Sequence, residues 1–266
     1  MRRLALYLPA ALLAALVLLL AGLFWLLNTG EGARFALSTL SGAAGARLSV
    51  QRVEGRLIDR LELTGVRLSE PGRKTQIDRI QLDWEPRRLL QESLLVRKLT
   101  LSGVRIQDDA PTVKKAPRLH WPRVSGVLAR LDVRIDRLQL TGLSYRQQQA
   151  PPVLVSELSS SLTFKDGLLT LPQLSLVTPQ GRLSGEMAAG FRYPSLKLDL
   201  ALVPTLPVRE FDFFSLQARL LPGRDPEQLA GPFALAGRGG GAQRLELAGQ
   251  LGMTEKGFNL RGLNLV

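Results

Sequence analysis

Three nonapeptides along this chain share one pattern: RLELTGVRL at residues 60–68, KLTLSGVRI at 98–106 and RLQLTGLSY at 137–145. In each copy two leucines alternate with polar residues, which on a β-strand places both leucines on one face. The glycines of the pattern stand at positions 65, 103 and 142, so successive copies are separated by 38 and 39 residues. A period of this length predicts a repeated supersecondary unit.

The alternation slips by one residue within each copy, because the next apolar residue comes three positions after the second leucine. Gly65, Gly103 and Gly142 stand at this slip. Each glycine marks either a bend or bulge that keeps the aliphatic side chains on one concave surface, or the end of one strand and the start of another. The sequence leaves both interpretations open.

Alternation with a period of two continues outside the repeat, for example in IQLDW at residues 80–84 and LKLDLAL at 196–202. Pro86 ends the first of these strands, and RRLL at 87–90 predicts a short helical turn. KDG at 165–167 predicts a hairpin turn. We therefore predict a mainly β fold, in which an elongated, curved antiparallel sheet is built from units of about 38 residues.

One face of this predicted sheet is aliphatic, and the chain has few aromatic side chains (6%) with which to fill it. We predict an open groove, because a large apolar surface without packing partners usually serves a ligand or a protein partner. The residues predicted to line it are Leu61, Leu63, Ile80, Leu82, Leu99, Leu101, Leu138, Leu140, Leu162, Phe164, Leu174, Leu176, Leu198, Leu200, Leu245 and Leu247.

The N-terminal region contains no charged residue from Leu4 to Leu27. As a helix, this run spans roughly 36 Å, enough to cross a hydrocarbon core of about 30 Å. Arg2 and Arg3 precede it, so the positive-inside rule places the N-terminus in the cytoplasm and the rest of the chain across the membrane. A cleaved signal peptide is the alternative, but WLLN at 25–28 lacks the small residues of a cleavage site.

These patterns divide the chain into three parts. Residues 1–28 are predicted to be a transmembrane signal anchor, 29–46 a short periplasmic helix and linker, and 47–266 the groove segment. We expect the groove segment to be truncated at its C-terminus, because the sequence stops within an alternating strand.

The formal charge of +12 raises nucleic acid as a partner, but the distribution of charge argues against it. Basic residues stand one position from aliphatic ones, as Arg67 and Arg105 do, so we expect them on the solvated face of the sheet. Attraction to an anionic bilayer surface is the alternative use for them. We predict no nucleic-acid partner, because no aromatic stacking platform accompanies the charge.

We find no pattern typical of an active site. The chain has no cysteine and a single histidine, His120, which we interpret as structural. Asp108 and Asp109 are adjacent, so we expect a surface loop pair and no acid/base dyad. We predict no enzyme activity, no cofactor and no metal site.

Several features together resemble the N-terminal region of the TamB family, the AsmA-like envelope proteins of Gram-negative bacteria. The resemblance is specific to about residue 145 and only general thereafter. The matching features are the apolar anchor, Thr29-x-x-Gly32, VQRVEG at 50–55, LELTGV at 61–66, IDRIQLDWEP at 77–86 with Leu89-Leu90, and LTLSGV at 99–104.

The resemblance implies a β-taco structure, anchored in the inner membrane with its bulk in the periplasm, that carries phospholipid acyl chains toward the outer membrane. It also implies an alternative, a scaffold or chaperone for assembly of outer-membrane proteins with a BamA-like partner, TamA. The C-terminal region through which the family meets that partner is absent from this sequence. A third possibility is a mainly structural role in the envelope.

Overall fold

The computed structural model describes residues 47–109, 131–223, 228–240, 243–254 and 257–265. These residues form β-strands and one short 3-10 turn, Pro86–Gln91, which joins β3 to β4. The strands are β1 (Arg47–Gly55), β2 (Arg60–Glu70), β3 (Arg73–Glu85), β4 (Ser93–Asp108), β5 (Asp132–Gln147), β6 (Val153–Lys165), β7 (Leu168–Thr178), β8 (Gly181–Gly190), β9 (Ser195–Pro204), β10 (Phe211–Pro222), β11 (Leu229–Gly239), β12 (Arg244–Thr254) and β13 (Gly257–Leu265).

All of these strands lie in one curved, open sheet whose spatial order equals the chain order. β1 and β13 each pair with a single neighbour, so the sheet formed by the described residues does not close on itself. The predicted mainly β fold is confirmed, as are the turns at residues 87–90 and 165–167.

The predicted anchor, the short helix after it, and Arg2 and Arg3 all fall outside the residues that the structure describes. Within the described ranges, no helix has both the length and the apolar character needed to span a bilayer.

The sheet is not antiparallel throughout, which corrects the predicted antiparallel sheet. β4 and β5 pair in parallel, with Leu99 opposite Leu138 and Leu101 opposite Leu140. Residues 109–131 connect them, and a parallel pair requires a connection of about a dozen residues or more. The copies in β2 and β4 are separated by β3, whereas the copies in β4 and β5 are direct neighbours. The sequence spacing of the copies is nonetheless almost the same in the two cases, 38 and 39 residues.

The three repeat glycines lie inside continuous strands, so the strand-end interpretation of the slip is wrong. Gly65, Gly103 and Gly142 have φ angles of 64°, 64° and 67°, a left-handed conformation that glycine adopts without a Cβ penalty. Leu63 and Val66, on either side of Gly65, belong to one hydrophobic cluster, so the aliphatic side chains stay on the same face.

Neighbouring strands show the same one-residue slip in their alternation, at positions that pair with one another. Val53 and Val50 of β1 pair with Leu63 and Val66 of β2, and these pair in turn with Ile80 and Ile77 of β3. Because every one of these strands has two residues between its aliphatic ones, the register is kept. The slip is therefore a coordinated shift across adjacent strands rather than an extra residue in one of them.

Most of the buried hydrophobic residues form two groups at different places along the sheet. The first lies on β1 and β2, where Val53, Leu61, Leu63 and Val66 form a cluster. The second lies on β8, β10 and β11 and consists of Ala189, Ala218, Leu220, Leu229 and Phe233. Val96 and Val104 on β4, each 5% exposed, are buried between these groups, whereas no hydrophobic side chain of β5, β6 or β7 is buried.

Candidate apolar groove

A single row of apolar residues crosses the sheet from β1 to β12, perpendicular to the strands. Each member is the direct cross-strand partner of the next, so all of them lie on the same face. The row is Val53, Leu63, Ile80, Leu101, Leu140, Leu158, Leu176, Leu183, Leu202, Phe214, Gly237 and Leu245.

Shorter rows on the same face run beside this one. Leu61, Leu82, Leu99 and Leu138 pair in sequence across β2 to β5. In the later strands, a row runs through Leu174, Gly185, Leu200, Leu216, Leu235 and Leu247. Together with the alternation along each strand, the register places all sixteen predicted lining residues on one face. That they contact lipid stays a prediction.

These sixteen side chains differ in burial. Leu61 and Leu63 are 6% and 8% exposed and belong to the cluster on β1 and β2. The other fourteen are half-buried. The described chain provides no second sheet or long helix to lie over them, so their neighbours on the same face shield only their sides. At these fourteen positions, the aliphatic floor is therefore partly open.

Sequence reasoning missed several members of the rows. Leu158, Leu183 and Leu202 stand in alternating stretches and could have been found by the same period of two. Ser160 could not, because it puts a polar side chain at a row position opposite Leu138. It is buried, and its hydroxyl donates to the carbonyl oxygen of Ser161 at 2.7 Å and lies 3.1 Å from that of Pro172. The face therefore stays free of an unsatisfied polar atom at this point.

The opposite face is polar and carries paired charges, as predicted for the basic residues. Arg105, which is exposed, donates to the Asp78 carboxylate across β3 and β4. Arg79 Nε lies 2.6 Å from Glu62 Oε1, and Gln81 Nε2 lies 3.1 Å from Glu62 Oε2. The hydrogen bond from Gln81, together with the Arg79 guanidinium, lowers the pKa of Glu62. These charged side chains thus lie on the face opposite the aliphatic row.

Asp108 differs from its expected place in a surface loop. It is the last residue of β4 and is buried, and its Oδ2 accepts a hydrogen bond from Arg73 Nη2 at 2.9 Å. Asp109 follows the strand and is exposed. Asp108 therefore forms an ion pair that joins β3 to β4, whereas the neighbouring Asp109 is exposed to solvent.

The described face offers hydrocarbon contact and little chemistry. Within the part of the chain that the structure describes, no three acidic or histidine side chains come together to hold a metal ion. His120 lies outside that part. The predictions of no enzyme activity and no cofactor remain predictions.

Comparison with known proteins gives one match. Residues 19–120 match the family model described as TamB, N-terminal domain. This range ends before β5 and includes β1 to β4, together with the turn between β3 and β4. No curated protein and no solved structure matches the chain significantly.

Proposed function

We propose, on the premise that residues 19–120 are a TamB-family N-terminal region, that this chain carries phospholipid acyl chains along its apolar groove between the inner and outer membranes. The match to this family supports a role in the cell envelope. The groove adds a physical reason for lipid as the cargo.

The observation that carries the proposal is the unbroken apolar row from β1 to β12. Adjacent strands lie about 4.8 Å apart, so eleven steps cover about 53 Å. Transfer of one methylene between water and an apolar surface is worth about 0.8 kcal/mol. An acyl chain that moves from one strand to the next therefore keeps most of its apolar contact, because every strand of the row except β11, which has Gly237, offers an apolar side chain.

The two faces of the sheet give the lipid an orientation. The aliphatic face receives the acyl chains, and the head groups stay in water outside the groove. The polar face, with its paired Arg79 and Glu62, remains solvated. We further propose that the apolar run at residues 4–27 anchors the chain in the inner membrane with its N-terminus in the cytoplasm.

Site-specific photo-crosslinking tests this function. A benzophenone amino acid at Leu101 or Leu140 should capture phospholipid in cells. Gln139 and Arg105 are the matched controls, because each lies on a strand of the groove but on its polar face. Equal lipid adducts at all four positions, or none at Leu101 and Leu140, would contradict the proposal.

A second candidate function is a scaffold for outer-membrane protein assembly, and the free edge of β13 favours it. Among the described residues, β13 pairs only with β12, and Leu260 and Leu263 on it are half exposed. An unpaired edge can add a strand from another polypeptide. This function predicts polypeptide adducts from a crosslinker at Leu260 and no phospholipid in the purified protein.

A further inference from the structure

The turn between β3 and β4 exposes two adjacent leucines. In the turn Pro86–Gln91, Leu90 is 91% exposed and Leu89 is 42% exposed. Single exposed leucines are common on protein surfaces. Here, however, the two are neighbours at the tip of a turn, and no residue of the turn is buried.

The turn is held in place by its own contacts. Pro86 stands at its start, and Glu92, with φ 54°, ends it in the left-handed conformation. The Glu92 backbone N–H donates to the carbonyl oxygens of Arg88 and Leu89. Glu85 Oε2 lies 2.8 Å from Arg88 Nε, and Glu85 Oε1 lies 2.6 Å from Arg97 Nη2. The leucines are therefore presented by a braced structure.

The charge around the tip is positive. From Glu85 to Lys98 the chain carries four basic and two acidic side chains, a net charge of +2. Two of the arginines share the single Glu85 carboxylate. Arg87, next to the leucines, is exposed and has no side-chain partner among the described residues. A basic side chain beside exposed leucines fits the interface of an anionic bilayer, where leucine enters the acyl boundary and arginine meets phosphate.

The position of the tip also fits a membrane. It joins the third and fourth strands of the sheet and so lies near β1, the first described strand after the apolar run at residues 4–27. Arg47, where β1 begins, lies at the opposite end of the strands, beside Ser69. Leu206, on the β9–β10 connection, is 76% exposed but lies six strands further along the sheet, about 29 Å at 4.8 Å per strand. Leu206 is thus a highly exposed leucine, like Leu90, that lies far from the first strands of the sheet.

We propose that the Leu89-Leu90 tip docks on the anionic surface of the membrane in which the chain is anchored. The contact holds the groove at a fixed place relative to the bilayer. A protein partner fits less well, because the apolar area is limited to two side chains and is bordered by unpaired positive charge.

The test uses the full chain in nanodiscs of phosphatidylethanolamine and phosphatidylglycerol, with a benzophenone amino acid at Leu90 or, as the control, at Leu206. We expect at least fivefold more phospholipid adduct at position 90. Adding Arg87→Gln, or replacing phosphatidylglycerol by phosphatidylcholine, should lower that adduct about fivefold. The benzophenone side chain is itself apolar and replaces an exposed leucine, so folding is preserved.

Three results would overturn the docking proposal: no excess of lipid adduct over position 206, an excess that does not depend on phosphatidylglycerol, or an adduct with a second copy of this chain. A crosslinker at Leu140 in the same nanodiscs reports on the groove separately. Lipid adducts at Leu140 but not at Leu90 would contradict only the docking proposal. Lipid adducts at Leu90 but not at Leu140 would contradict only the proposed lipid groove.

Discussion

The first strands and the middle strands of the sheet carry the same leucine alternation but differ in how enclosed that face is. On β1 and β2, Val53 and Leu61 are buried in a cluster, whereas Leu138 and Leu140 on β5 are half-buried. The sequence patterns around Leu61 and Leu138 are almost identical. Alternation therefore determines which face is apolar, and other residues determine whether that face is covered.

The β1–β2 turn accounts for part of the difference. Leu57, in that turn, packs against the buried cluster. Its neighbours hold the turn: the Arg56 N–H donates to the Arg60 carbonyl oxygen at 2.7 Å, and the Trp84 N–H donates to the Asp59 carbonyl oxygen at 2.9 Å. The hydrogen bond from the Arg60 N–H also lowers the pKa of the Asp59 carboxyl. The first strands thus form a closed end, whereas the floor is open on β5, β6 and β7.

The largest expected effect is on stability at the closed end. Leu63→Ala leaves a cavity in a packed cluster and should lower the free energy of unfolding by about 2–4 kcal/mol. Leu140→Ala removes a side chain that is only half enclosed and should cost about 1 kcal/mol. Denaturant unfolding of the purified chain, followed by circular dichroism, measures both. Equal losses would mean that the two regions are packed alike.

The next effect concerns lipid contact at the open floor. Leu140→Asp places a charge in the apolar row, so phospholipid capture by a crosslinker at Leu101 should fall about tenfold or more. Gln139→Asp, on the polar face of the same strand, is the control and should leave capture unchanged. A similar fall in both variants would show that the aspartate acts through the strand and not through the groove.

A smaller effect separates the three repeat glycines. Replacement by alanine at a φ near +64° costs about 1–2 kcal/mol at each position. A Cβ at Gly103 would also displace the Asp78 side chain, which is bonded to Arg105, and one at Gly65 would displace the exposed Gln51 side chain. A Cβ at Gly142 makes only ordinary van der Waals contacts, 3.8 Å from the Gly103 backbone nitrogen and 3.9 Å from its Cα.

The expected order of destabilisation is therefore Gly103→Ala, then Gly65→Ala, then Gly142→Ala. Thermal unfolding midpoints of the three variants measure it. A loss at Gly142→Ala equal to that at Gly103→Ala would contradict the role of Asp78.

The smallest effect is on the turn that presents Leu90. Hydrogen bonds from Arg88 and then Arg97 lower the pKa of Glu85 below its usual value of 4.5. A carboxyl whose pKa is lower in the folded state stabilises that state above about pH 4.5, and the contribution disappears as the pH falls through the folded pKa. Between pH 7 and pH 3.5, the wild-type melting temperature should therefore fall slightly more than that of Glu85→Gln. An identical fall would indicate that these ion pairs contribute nothing.

Much of the fold could be predicted from the period of two, because a strand has only two faces and the alternating leucines identify which of them is apolar. The parallel pairing of β4 and β5 did not follow, since copies 38 and 39 residues apart look alike whether or not a strand lies between them. The structure at Pro172 and Gln173 could not be predicted from the sequence either. They form a bulge in β7, where Leu171 pairs with Met187 and Leu174 pairs with Gly185. A bulge depends on the partner strand, which the local sequence does not contain.

Burial was the other gap. The sequence placed Leu61 and Leu99 in the same class, but Leu61 is buried in a cluster beside the β1–β2 turn, whereas Leu99 is half-buried. The slip at the repeat glycines was predicted from the sequence. That the slips of β1, β2 and β3 lie at paired positions could be seen only from the strand register of the structure.

The account as a whole depends on an apolar row that the protein leaves open for lipid. Native mass spectrometry of the detergent-extracted full chain measures this directly. We predict that the wild-type chain and Gln139→Asp retain bound phospholipid, while the double variant Leu140→Asp/Leu176→Asp loses it. A wild-type chain free of phospholipid, or a double variant that keeps as much as the wild type, would contradict the account.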